Sequence, residues 1–326
     1  MIKKYTKVNN YGIYLSLFFL LISWFYLPDW SLNIVCLACC NGLVVLSLLV
    51  LMRSGLISFG HGLYYCLGGY SVAISYNFYN IQDAFLLILI TIFIGGLVSF
   101  LFGFFVRKFR GIFFAMMNLA LSMILFGIIV KSVSLGSTDG FGIKNLTYFG
   151  FEIKDQVRLN IFSYFFIIIV SFICIFLVSK YTASPLGKMV LAIKDNEIRA
   201  NYLGINVSKQ IHNIYIISGI LASLGGALMV ILVGHITPED TAYWTKSGEF
   251  VFVAILSGTM HVIAPLLGSL FFEFIRSYAL YLFPNTWQMV IGIILIIGII
   301  YLPEGLGSIF SKLGKIKNAF RSKKTL

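Results

Sequence analysis

The sequence predicts an all-α fold: a polytopic integral membrane protein of about 8–10 transmembrane helices, with short cytoplasmic helices between two of its spans. Three observations predict it. Of 326 residues, 59% are hydrophobic and 11% charged, with a mean hydropathy of +0.95, which excludes a chain of ordinary soluble domains. Predominantly apolar runs close to the roughly 20 residues that cross a bilayer core recur along the chain. Lysine and arginine concentrate in alternate connections between those runs, the mark of a fixed membrane orientation.

Ten runs qualify: 11–27, 32–52, 55–79, 84–106, 111–130, 161–179, 211–234, 249–262, 264–283 and 288–302. The first has Lys3, Lys4 and Lys7 ahead of it, as a signal peptide would. Pro28, Asp29 and Trp30 follow in place of a small-residue cleavage site, so it reads as a retained span. The third is rich in small residues. Gly55, Gly60, Gly62, Gly68 and Gly69 surround His61, which permits tight helix packing or a break where backbone lines a cavity. A fainter copy of its Ser-Gly, His, Leu-Gly order at 257–271 reads as the trace of an internal repeat. The runs 249–262 and 288–302 are short, and tilt, extend into polar flanks or re-enter. Polar residues interrupt the series at 131–160 and 184–209. Residues 1–310 thus form one transmembrane domain, and 311–326 a basic tail suited to anionic headgroups.

With the N-terminus inside and ten crossings, the cytoplasmic side receives Lys3, Lys4, Lys7, Arg53, Arg107, Lys108, Arg110, Lys180, Lys188, Lys194, Arg199, Lys209 and six tail residues, eighteen of 24 basic residues. Lys131, Lys144, Lys154, Arg158 and Lys246 fall outside, and Arg276 lies within a span. This 18 to 5 split puts both termini and 184–209 in the cytoplasm, with 131–160 as an external loop. The net charge of +12 is then a topology signal; a nucleic-acid reader would need a basic soluble module.

Catalytic chemistry is thinly represented. The chain has no G-x-x-x-x-G-K-[ST] phosphate cradle, no H-E-x-x-H and no G-x-S-x-G. Its five cysteines all sit in apolar runs, and the C-x-x-C of "CLACC" lacks the second ligand pair a zinc site needs. Of four histidines, His61 and His261 stand at membrane depth, where polar groups are costly and face a cavity or a partner. Asn118 in "FFAMMNLALSM" bridges helices or lines a path. Glu273 and Arg276, three apart on one helical face, form a local ion pair or a solute contact.

The interruption "SPLGKMVLAIKDNEIRANYLGINVSKQIHN" reads as helix. Leu186, Met189, Val190 and Ile193 make one apolar stripe, with Ser184 as N-cap and Pro185 in the first turn. A second unit begins near Asp195, carries Ile198 and Tyr202 on one face and ends at Gly204; Ser208 is available to cap the next span. Two short amphipathic helices on the cytoplasmic surface either lie on lipid or present a docking face.

Several stretches together resemble the LivM-type permease subunits of branched-chain amino acid ABC transporters. The interruption is similar to that family's cytoplasmic motif, a Ser-Pro-x-Gly start leading through Ala-Ile to Leu-Gly-Ile-Asn-Val. "SGLISFGHGLYYCLGGYSVA" resembles its Gly-x-x-Ser-x-Gly-His block. "GIFFAMMNLALSMILFGIIVKSVSLGSTDGFGI", "GEFVFVAILSGTMHVIAPLLGSLFFEFI" and "WQMVIGIILIIGIIYLPEGLGSIF" resemble later blocks in family order, covering about 40–310. Thr259, Ala264, Met117, Asn118 and Ser137-Thr138 depart from the family pattern, which leaves substrate identity open.

The resemblance implies a permease in a bacterial inner membrane, paired with a second permease subunit, driven by two cytoplasmic ATPase subunits and fed by an extracytoplasmic substrate-binding protein. It implies that ATP and magnesium are bound by the ATPase partners and that this chain holds no cofactor or metal. It places Gly187, Ala192, Ile193, Glu197, Ala200 and Gly204 in the ATPase-coupling segment, and Ser58, Gly60, His61, Asn118, Asp139, Gly140 and His261 along a translocation pathway. Branched-chain amino acids are the usual cargo; urea, amides or other amino acids are the alternative within the family. A secondary transporter or channel would need an ionisable relay in its spans, for which only Glu273 and Arg276 qualify.

Overall fold

Nine of the ten expected spans fall on helices of the computed structural model, which describes residues 28–144, 146–152, 155–259 and 261–301 with positions 17, 20, 24, 305 and 306. The run 11–27 lies otherwise outside the described residues, as does the tail 311–326. In chain order the helices are α1 (Asp29–Met52), α2 (His61–Tyr79), α3 (Ala84–Val106), α4 (Gly111–Lys131), α5 (Gln156–Ala183), α6 (Pro185–Asp195), α7 (Glu197–Tyr202), α8 (Val207–Val233), α9 (Pro238–Ala242), α10 (Trp244–Ser257), α11 (Ala264–Leu282) and α12 (Trp287–Tyr301). Of these, α1, α3, α4, α5 and α8 are long and apolar enough to cross a membrane.

Burial sorts the spans into a centre and a rim. The apolar stretch of α1 is 94% buried and that of α8 72%, against 28% for α3 and 22% for α4. A helix apolar all round belongs in a protein interior or in lipid, and the bundle uses both solutions. The centre is α8, which packs on α1, α2 and α3, while α1 also packs on α11. Close approach of α2 and α8 rests on glycine. A Cβ at Gly68 would collide with the Ser223 carbonyl, and one at Gly226 with the Tyr65 carbonyl. Small residues at such crossings let backbones meet where apolar burial alone gives helices no reason to prefer each other over lipid.

The third expected span is shorter than its apolar run. Helix α1 ends in a Schellman-type turn: Gly55 N–H donates to the Met52 carbonyl at 3.1 Å and Leu56 N–H to the Leu51 carbonyl at 3.4 Å, with Gly55 left-handed at φ +83°. Helix α2 starts only at His61, so 53–60 crosses into the bundle as irregular backbone. Glycine and serine there supply turn conformations that hydropathy does not register.

The two polar interruptions lie at opposite ends of α5, whose 28 residues run from the 131–160 loop to α6. In that loop, β1 (Phe141–Gly142), β2 (Thr147–Tyr148) and β3 (Phe151–Glu152) are followed, after α8, by β4 (His235–Ile236). Strand β1 pairs antiparallel with β4, and β2 with β3. The β1–β4 pair ties the loop to the α8–α9 turn. Two-residue strands are too short to show the alternation that betrays a strand in sequence.

Candidate translocation node and coupling face

Four of the expected pathway residues meet around the broken start of α2. Ser58 Oγ accepts from Gly60 N–H at 3.2 Å, and the backbone of Gly60 lies so close to Asn118 that a Cβ there would overlap the Asn118 carbonyl. His61 Nε2 is 2.7 Å from Ser218 Oγ, which donates to the Ser47 carbonyl at 2.9 Å. Since that spends the serine's only proton, His61 Nε2–H is the donor. Nδ1 is buried without a hydrogen-bond partner. Ser218 stands eleven residues into α8, about 16 Å from its start at ~1.5 Å per residue, so α2 begins well inside the bundle.

A second chain of bonds runs beside the first. Tyr64 OH donates to Tyr215 OH at 2.9 Å, Tyr215 OH to Asn118 Oδ1 at 2.5 Å, and Asn118 Nδ2 to the Phe114 carbonyl at 2.7 Å. Gly62 N–H reaches Ser247 Oγ of α10 at 2.9 Å, and Ser122 Oγ of α4 donates to the Ala242 carbonyl of α9 at 3.1 Å. The broken α2 thus meets the α9–α10 junction, bringing two discontinuous helices together. Irregular backbone at membrane depth is tolerated where protein buries it or where it lines a water-filled path. Ser58, His61 and Asn118 are 0–2% exposed, so in this conformation the node is closed.

The other expected pathway residues lie elsewhere. Asp139 is exposed on the 131–160 loop; Gly140, left-handed at φ +72°, packs against the Ile236 carbonyl. His261 sits half-buried in the link between α10 and α11. A cavity of about 510 Å³ bounded by Trp24, Asn33, Lys144, Asn160 and Tyr164 opens between α1, α5 and the loop, away from the node. The expected local ion pair between Glu273 and Arg276 does not form: Glu273, 5% exposed, accepts from Asn41 Nδ2 at 2.7 Å, while Arg276 lies 5.5 Å over the Trp287 ring. Each side chain follows the neighbour its own side of α11 faces, α1 for one and the start of α12 for the other. Among the described residues, no three His, Cys, Asp or Glu side chains come together to hold a metal ion.

At the end where α5 gives way to α6, caps define the fold of 184–206. Ser184 Oγ accepts from Gly187 N–H at 3.4 Å with Pro185 in the first turn, and Asn196 Oδ1 from Arg199 N–H at 2.8 Å. Helix α8 is capped by Asn206, which accepts from Lys209 N–H at 3.0 Å, and not by Ser208; asparagine is at least as good a cap and stands at the boundary. Gly204 is left-handed at φ +83°, closing α7 through Ile205 N–H to the Ala200 carbonyl at 3.1 Å.

The apolar stripe of α6 faces the chain itself over most of its length, with Leu186 at its start left 43% exposed. Val190 and Ile193 are buried, Ala192 is half-buried, and Gly187 is packed onto the Tyr181 and Thr182 carbonyls. In α7, Ala200 points inward at 1% exposure, while Ile198 and Tyr202, with Leu203 after them, are 68%, 88% and 74% exposed. Glu197 opens α7 with its carboxylate 2.9 Å from Arg110. Of the expected coupling residues, then, Gly187, Ile193 and Ala200 build the segment from within. The outward apolar face of α7 belongs to Ile198 and Tyr202, with Leu203 of the Leu-Gly-Ile-Asn-Val motif beside them.

Residues 31–299 match the model of the family described as branched-chain amino acid transport system / permease component. The chain belongs to this permease family. It is 25% identical over 288 residues to the high-affinity branched-chain amino acid transport system permease protein LivM of Salmonella typhimurium, covering 78% of this chain and 64% of that protein. The LivM protein of Escherichia coli is 24% identical over 296 residues, with coverage of 81% and 67%. The chain therefore spans about two thirds of the length of these curated relatives. No solved structure matches it. As a permease of this family it is a multi-pass membrane protein.

Proposed function

We propose that the chain is the membrane-spanning permease subunit of an ATP-driven importer for branched-chain amino acids, with its termini and α6–α7 in the cytoplasm of a bacterial cell. The observation that carries this reading is α7. A short, well-capped helix at the end rich in lysine and arginine leaves Ile198, Tyr202 and Leu203 in solvent, in a chain with no phosphate cradle of its own. An exposed apolar cluster on a polar segment suits a protein contact, and the permease family supports an ATPase that binds ATP and magnesium as the partner. The named cargo of the two LivM relatives supports the substrate class.

In this reading 1–310 is the translocating domain, a second permease subunit completes the path, and a binding protein delivers substrate at the loop end. Closure of the ATPase pair displaces α6–α7, and the closed node at His61 and Asn118 opens toward one side and then the other. Each ligand shifts that balance only by its differential affinity for the two states. The test is co-purification of the chain with its ATPase subunits, followed by leucine uptake in vesicles holding the full complex. ATP-dependent uptake that disappears without this subunit is the expected result. Uptake of urea or amides in place of leucine moves the substrate to another class, and ATP-independent uptake overturns the importer reading.

A further inference from the structure

Arg110 ends the connection between two of the least buried spans and sits at the N-cap of α4. Its guanidinium makes three sets of bonds at once. Nη1 donates to the Arg107 carbonyl at 2.5 Å and the Phe109 carbonyl at 2.8 Å, which close the end of α3. Nε lies 3.1 and 2.9 Å from the two Glu197 oxygens, and Nη2 2.9 Å from Oε1. One planar group therefore joins the end of α3, the start of α4 and the first residue of α7. Such a fork fixes orientation in a way that a lysine, a point charge on a flexible stem, does not.

The pair is 33% and 39% exposed, a setting in which ion pairs add little to folding stability. Its value must lie in what it connects. Helix α4 buries only Phe114, Asn118, Ser122 and Ile129, a single stripe. Two polar bonds hold that stripe to the bundle: Asn118 to Tyr215, and Ser122 to the Ala242 carbonyl. A helix held by one stripe slides more readily than α1 or α8, which are enclosed. Asn118 stands eight residues beyond Arg110, about 12 Å along the same helix.

We propose that Arg110 is the positioning residue that passes displacement of α7 into α4, and through α4 to Asn118 in the closed node. This rests on the importer reading given above. Arg110 touches neither solute nor ATP in this scheme; it acts through Glu197 on one side and the helix it caps on the other.

The experiment uses the full complex in proteoliposomes and measures leucine transported per ATP hydrolysed, with membrane abundance and subunit assembly read in the same preparations. Arg110→Ala is expected to lower that ratio at least five-fold in an assembled complex. Arg110→Glu combined with Glu197→Arg re-forms the ion pair without the bonds to the Arg107 and Phe109 carbonyls, and is expected to raise the ratio at least two-fold above that of Arg110→Ala, a partial rescue that a general loss of packing would not show. Should Arg110→Ala fail to assemble, Arg110→Lys, which keeps the charge and loses the fork, is read in its place and is expected to lower the ratio at least two-fold. An assembled, ATP-driven complex whose ratio ignores the single substitution overturns this inference alone. A wild-type chain that assembles with no ATPase overturns the importer reading, and this inference with it.

Discussion

Tyr215→Phe removes one hydroxyl and strands two buried groups. In the native node Tyr215 OH accepts from Tyr64 OH and donates to Asn118 Oδ1. Without it, the Tyr64 phenol loses its acceptor and the Asn118 carbonyl its donor, in a site where both rings and the amide are buried. Leaving a buried polar group unmade costs about 1–3 kcal/mol in soluble proteins, while hydrogen bonds between membrane helices average about 0.6 kcal/mol. Two such losses put the cost at about 1–3 kcal/mol for Tyr215→Phe. Tyr64→Phe is different. It takes away only a second bond on Tyr215, whose own proton keeps Asn118, so about 0.5 kcal/mol is expected. Asn118→Leu added to Tyr215→Phe removes both ends of the shared bond, and the pair should cost about 1 kcal/mol less than the sum of the singles. Equilibrium unfolding of the purified chain in mixed SDS and non-ionic detergent micelles reads all four values. Equal costs for Tyr64→Phe and Tyr215→Phe, or strict additivity with Asn118→Leu, would refute the directional chain of bonds.

Other expectations follow from single positions. Gly68→Val sets a side chain against the Ser223 backbone, which cannot rotate away; overpacking of this kind costs about 1–3 kcal/mol or more, and immunoblots of membranes should show the protein depleted. Tyr202→Ser and Ile198→Ser alter residues 88% and 68% exposed, so stability should hold within about 0.5 kcal/mol while ATPase co-purification falls at least ten-fold; undiminished capture would place the docking face elsewhere. At Gly204 nothing lies within 4 Å of a new Cβ. Valine there is then opposed only by its left-handed backbone, at about 1–3 kcal/mol, and should reduce ATP-driven uptake with abundance maintained, whereas asparagine, which tolerates that conformation, should leave uptake near normal.

Hydropathy located the spans because a bilayer imposes a length and a polarity that composition cannot hide. It failed where backbone chemistry overrides apolarity, as at 53–60, which sits in a greasy run and yet is not helix. Gly55 and Gly60 carry that signal, and in sequence alone it fits both packing and breakage; the close approach of Asn118 to Gly60 is what the fold adds. Tyr64, Tyr215 and Ser218 were illegible for another reason. Their hydroxyls ride on helices that look uniformly apolar, and only the neighbouring helix shows whether a tyrosine is packing or bonding. The stripe of α6 was legible as a stripe, but not its direction: Val190 and Ile193 turn inward, Leu186 stays exposed, and most of the outward apolar face lies on α7. For Glu273 and Arg276, sequence spacing made a pair, whereas Glu273 bonds Asn41, far away in sequence, and Arg276 lies over Trp287 on the next helix.

The arrangement of α4 and α8 divides labour within the node. Helix α8 starts at the Asn206 cap beside α7, carries Tyr215 and Ser218 at the node, and ends at the turn whose strand β4 holds the loop through β1. Its 27 residues, about 40 Å at ~1.5 Å each, join both ends of the molecule as one rod wedged among α1, α2 and α3. Moving it would disturb close glycine contacts on α2 as well as the bonds at His61. Helix α4 shares the same node through Asn118 and is held by one stripe. In the proposed importer, motion arriving at α7 would have two routes inward, and the route through α4 would break fewer contacts. Under that proposal, a node whose fixed half is α8 and whose movable half is α4 would open without unpacking the centre, provided that its two halves meet through bonds weak enough to exchange, as a tyrosine–asparagine contact between membrane helices is.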